Sequence, residues 1–174
     1  MRLESSEQTS RVSKTEEATK PLIVTREGVL AFAGYFIIAL LFHGVGVNLF
    51  TELLGAGDGF TAGYPSKLFA IHLSPWNPYV QLGQYSFANT QFQPFYPPAL
   101  LLMAIFPNAF GYNLFILLHY ALGGLFFYLF ARERFLSAHA AATGGLVFML
   151  SGFLSAHKGH QAMKIGRASC RERV

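Results

Sequence analysis

Asp58 stands between two glycines in Gly57-Asp58-Gly59. Glycines on both sides let the backbone turn tightly and leave the carboxylate open to a ligand. Such a carboxylate can act as a general base, hold a metal or position a sugar hydroxyl. An ordinary Asp-Gly loop turn is the plain alternative. His157 and His160 lie in the run His157-Lys158-Gly159-His160. As neutral imidazoles they could ligate a metal, and as cations they could bind phosphate. Two histidines without a third ligand make a poor metal site, and Lys158 between them favours an anion. No metal-ligand set is therefore assigned. His119 lies well inside an apolar stretch, where an ionisable group is costly and usually faces a cavity or a partner helix.

A second group is aromatic. Trp76, Tyr79, Tyr85, Phe92, Phe95 and Tyr96 are interleaved with Asn77, Gln81, Gln84, Asn89, Gln91 and Gln93. Amphipathic rings suit the headgroup level of a bilayer. Interleaved with amides, they could equally offer stacking faces and hydrogen bonds to a carbohydrate.

These residues must be positioned by elements whose solvent is partly lipid. Of the 174 residues, 52% are hydrophobic, 16% aromatic and only 13% charged, against roughly a quarter charged in soluble domains. The formal charge of +4 is no nucleic-acid signal. The stretch Lys164 to Val174 resembles the in-frame translation of a sequencing-library adapter, and is set aside from fold reasoning. It holds four basic residues, one acid and the only cysteine, Cys170, so the remainder is near +1 and has no thiol chemistry. A native sequence stopping near Met163 would make the full protein longer, and the chain by itself is then expected to be inactive.

Residues 1–27 are rich in Ser, Thr, Glu and Lys without apolar periodicity, and predict a disordered tail. Residues 28–163 predict a membrane domain. Val29 to Phe50 carries no formal charge and is long enough to cross a bilayer as a helix. Further spans are expected over 112–130 and 135–153, the latter rich in the small residues that let helices approach closely in lipid. Within the intervening loop, 51–111, Pro97 and Pro98 suit the first turn of a short interfacial helix that Pro107 closes. Arg2, Arg11, Lys14, Lys20 and Arg26 precede the first span, Arg132 and Arg134 follow the second, and the loop holds only Lys67. The positive-inside rule then places the N-terminus in the cytoplasm and the loop outside, on the same face as His157 and His160.

The ordered motifs resemble the bacterial YfhO-like membrane proteins, which belong with the GT-C type glycosyltransferases. The resemblance rests on Gly57-Asp58-Gly59, Tyr64-Pro65, Trp76-Asn77-Pro78-Tyr79, Ala88-Asn89-Thr90-Gln91 and Phe95-Tyr96-Pro97-Pro98. It continues through Tyr112-Asn113, His119, Ser151-Gly152-Phe153, His157 and Gly159-His160. It implies an all-α membrane protein of which this chain holds the N-terminal portion, with about three spans and a long extracytoplasmic first loop. It also implies a bacterial inner-membrane enzyme moving a sugar from a polyprenyl-phosphate donor to an acceptor outside the cytoplasm. Asp58 matches the acidic residue that is typically catalytic in the first outer loop. His157, His160, Trp76, Asn89, Gln91, Tyr96 and His119 are the expected substrate-binding residues, with a divalent metal left open as cofactor. The expected partners are membrane lipid and the donor, with no nucleic acid. A polytopic transporter or lipid flippase is the main alternative, and a non-catalytic membrane scaffold a third.

Overall fold

The computed structural model describes residues 26–54, 57–80 and 82–156. The expected tail up to residue 25, His157, His160 and the stretch 164–174 lie outside the described residues.

Helix α1, Arg26–Gly44, begins with Glu27 in its first turn, where a carboxylate complements the positive end of the helix dipole. Arg26 and Glu27, assigned to the tail on composition, are thus its first helical residues. The helix buries Tyr35, Ala39 and His43 at four-residue spacing, one face of an α-helix. Around that stripe it leaves Val29, Leu30, Ile37, Leu41 and Phe42 exposed. The sequence predicted a span continuing to Phe50, but the helix stops at Gly44. Gly46 takes φ +80°, and the Asn48 side chain accepts from the Phe50 amide at 3.1 Å. These local bonds draw the chain out of helical geometry.

The loop that follows is more ordered than its composition suggests. It holds a π-helical turn, Gly59–Gly63, running into helix α2, Tyr64–Ala70. A two-residue antiparallel pair comes next, β1 (Trp76–Asn77) with β2 (Gln84–Tyr85), in the register Trp76 with Tyr85 and Asn77 with Gln84. A 3-10 turn, Ser86–Ala88, leads to helix α3, Pro97–Ile105, whose prolines fill the first turn where an amide would lack a partner anyway.

Helix α4, Ala109–Glu133, is capped by Asn108, whose side chain accepts from the Gly111 amide. Its far end closes with Phe135 at φ +65°. There the Phe135 amide donates to the Arg132 carbonyl and the Leu136 amide to that of Ala131. This is the Schellman pattern, with phenylalanine where glycine is usual. Helix α5, Ala138–Met149, starts from the Ser137 side chain, and a break at Ser151 precedes α6, Gly152–Ala156.

Among the described residues, three helices are long and apolar enough to cross a membrane: Arg26–Gly44, Ala109–Glu133 and Ala138–Ser155, the last counted through the break. The central one is α4, with 67% of its apolar window buried against 22% for each of the others. Helix α4 runs antiparallel to both α1 and α5. Arg132 near the end of α4 lies 3.4 Å from Glu27 at the start of α1, and Phe127 stacks on Phe148 of α5. Where all three meet, Tyr35 donates to the Ala142 carbonyl at 3.1 Å. Its ring passes between Gly124 and Gly145, at both of which a Cβ would touch it at 3.0 Å or less. In lipid such packing, rather than burial from water, holds helices together.

Candidate functional site

The loop is pinned to the first turns of α4 by side chains of that helix. Asn113, with none of its surface exposed, accepts from the Leu54 amide at 2.9 Å. Its amide nitrogen donates to the Leu49 and Glu52 carbonyls at 2.9 and 2.7 Å. It thereby fixes the strand of chain leaving α1. One residue earlier, the Tyr112 hydroxyl donates to the Gly59 carbonyl at 3.1 Å. Asp58 immediately precedes that carbonyl, at the head of the π-helical turn. Its side chain makes no capping bond to the turn and the residue is exposed. A fixed backbone thus carries an accessible carboxylate, the arrangement a positioned base requires.

A second anchor is Lys67, which sequence reasoning used only as the loop's lone cation. It is completely buried. Its ammonium donates to the Phe92 and Gln93 carbonyls and lies 5.4 Å from the centre of the Phe115 ring on α4. Burial lowers it from the usual lysine value to about 7, because desolvation penalises the charged form. The sequence offers only that it is the loop's single Lys or Arg; the structure places it on the buried face of α2, beside Ser66 and Ala70.

His119 and Tyr96, two of the expected binding residues, meet. His119 Nδ1 is 2.8 Å from the Phe115 carbonyl, which can only accept, so that nitrogen carries the proton. In the neutral ring Nε2 then accepts from the Tyr96 hydroxyl, 3.2 Å away. Burial raises the Tyr96 hydroxyl above the ordinary tyrosine value, which keeps it a donor. This bond ties the first residue before α3 to the middle of α4. Asn89, also expected to bind substrate, is buried. It accepts from the Phe92 amide at 2.9 Å and donates to Gln84 at 3.0 Å, so part of its capacity orders the loop. Trp76 is half exposed and lies over Gly83. A Cβ there would sit 2.5 Å from the indole, and the backbone has φ +108°, so both contact and conformation call for glycine. Gln91 is exposed.

Asn89 and Tyr96 line one open depression, whereas Asp58, Trp76, Gln91 and His119 do not line it. Among the described residues, no three His, Cys, Asp or Glu side chains come together in a way that could hold a metal. No protein-family model, curated protein or solved structure matches the chain. The class that fold and site define is a mostly helical protein with three candidate membrane spans among the described residues and a folded loop pinned to the central one.

Proposed function

We propose that this chain forms the first three spans and first outer loop of a GT-C type membrane glycosyltransferase of the YfhO-like kind, with Asp58 as its base. The observation that carries the proposal is an exposed carboxylate on a turn bonded to the central helix through Tyr112 and Gly59. The order of motifs from Gly57-Asp58-Gly59 to Gly159-His160 supports the family, and the distribution of basic residues supports the orientation. The Glu27–Arg132 contact brings the start of α1 and the end of α4, with their basic residues, to one end of the bundle. In this reading the loop lies at the other end, where a lipid-linked donor would present its phosphate at headgroup level.

In the proposed reaction the acceptor hydroxyl gives its proton to Asp58 as its oxygen bonds to the anomeric carbon. The bond from that carbon to the donor's phosphate oxygen breaks, and its electron pair leaves with the polyprenyl phosphate. His157 or His160 would stabilise the charge on that departing group.

Asp58→Asn in the full-length membrane protein tests the reading. The measurement is transfer of labelled sugar from a polyprenyl-phosphate donor in proteoliposomes. Removal of a general base lowers turnover by about a hundredfold or more. Unchanged turnover would remove the catalytic role. Solute uptake into sealed vesicles without donor consumption would establish the transporter instead.

A further inference from the structure

Beside the 3-10 turn Ser86–Ala88 the chain folds back through Gln93–Tyr96 and leaves an open depression of about 330 Å³. Phe87 and Phe95 form one wall, their rings stacked with centroids 4.3 Å apart and planes at 13°. Phe87 nevertheless remains 59% exposed, so the pair presents an aromatic face rather than filling a core. Thr90, Asn89 and Gln93 bring a hydroxyl and amides to the same space, and none of its lining residues is charged.

Gln93 carries two costs at once. Its backbone has φ +44°, a left-handed conformation uncommon for a residue with a side chain. Its Oε1 is buried and takes no hydrogen bond from the described residues, although buried acceptors are nearly always satisfied. Lys67 holds this conformation from behind through the Phe92 and Gln93 carbonyls, and the Tyr96–His119 bond holds the other end of the segment. Strain and an unmet acceptor, held in place by Lys67 and by the Tyr96–His119 bond, motivate a functional reading of this turn.

We propose that this depression is a binding subsite for an uncharged sugar ring. It rests on the glycosyltransferase reading and says where one sugar of that reaction sits. The apolar C–H face of the ring packs on Phe87 and Phe95, while its hydroxyls reach Thr90 and the part of Gln93 that lines the space. Small-molecule sites commonly combine an apolar wall with a few placed polar groups. A phosphate or a uronic acid would bring a charge with no cation in the lining to receive it.

Saturation-transfer NMR on the detergent-solubilised full-length protein carrying Asp58→Asn tests this without turnover. The probes are methyl glucoside, N-acetylglucosamine, glucuronate and inorganic phosphate. The expected result is saturable binding of one or both neutral sugars and none of the anions. Phe95→Ala weakens that binding about tenfold or more. Thr90→Arg, at an exposed position that tolerates a long side chain, admits glucuronate instead. Absence of neutral-sugar binding overturns the proposal. So does neutral binding that both variants leave intact, or equal binding of glucuronate before the arginine is added. The two readings fail separately: an active Asp58→Asn enzyme that still binds sugar removes only the base, and an inactive one that binds none removes only the subsite.

Discussion

Lys67 illustrates how much one side chain can decide. Its ammonium has left water for two carbonyls and a ring face, and burial lowers its value from 10.5 to about 7. Between those values the unfolded chain binds a proton that the folded chain does not. Stability therefore rises as pH climbs through that window. Below about 7 the native state bears the full cost of the buried charge. Unfolding in micelles at about pH 7 and about pH 9.5 checks this, with greater stability expected at the higher pH. Lys67→Met should flatten the slope, and an unaltered slope would assign the effect to another group. Asn113 acts on the same scale but without charge. Its one carboxamide joins three backbone groups of the chain leaving α1 to the start of α4.

At the scale of elements, the bundle depends on close approach at glycine. A Cβ on Gly145 would sit 2.2 Å from the Tyr35 hydroxyl and 2.8 Å from the Gly124 carbonyl. Backbone and a bonded tyrosine cannot both give way. Gly145→Ala is expected to destabilise the bundle by about 1–3 kcal/mol, the usual cost of overpacking. Gly34→Ala is the control, since nothing lies within 4 Å of the added carbon, and it should be neutral or slightly stabilising because alanine favours helix. Thermal unfolding of the two variants side by side separates packing from propensity. Equal midpoints would show that α1, α4 and α5 do not meet as described. The same crowding explains why the small residues of α5 are a packing surface rather than a weak helix.

On the scale of the whole molecule, the proposal depends on orientation. The proposed topology puts the loop between α1 and α4 on the opposite side of the membrane from the turn joining α4 to α5. Single cysteines test it directly, once Cys170 is replaced. Thr61→Cys in the loop should label with an impermeant maleimide in intact cells, and Ser137→Cys should label only after lysis. Both positions are exposed, so reactivity reports sidedness rather than burial. The reverse pattern would move Asp58 to the cytoplasm and end the case for an extracytoplasmic acceptor.

The apolar runs and the scarcity of charge determined by themselves that the chain holds three helices able to span a membrane, because bilayer thickness and hydropathy act on local composition. Pro97 and Pro98 likewise announced α3 from local backbone restriction alone. The sequence could not show that the loop is folded, since its bonds link residues far apart in the chain. Tyr112 to Gly59, Asn113 to Leu54 and Tyr96 to His119 are examples. Nor could it show that α1 stops at Gly44, where Gly46 and the Asn48 side chain turn the chain away. In sequence Lys67 is only the loop's single Lys or Arg, and its burial depends on α4 and the 92–93 carbonyls closing around it. Tertiary structure alone placed Asn89 and Tyr96 on one depression and left Asp58 outside its lining. Hydropathy is a property of a segment. The meeting of two segments depends on which polar groups find partners once both are buried.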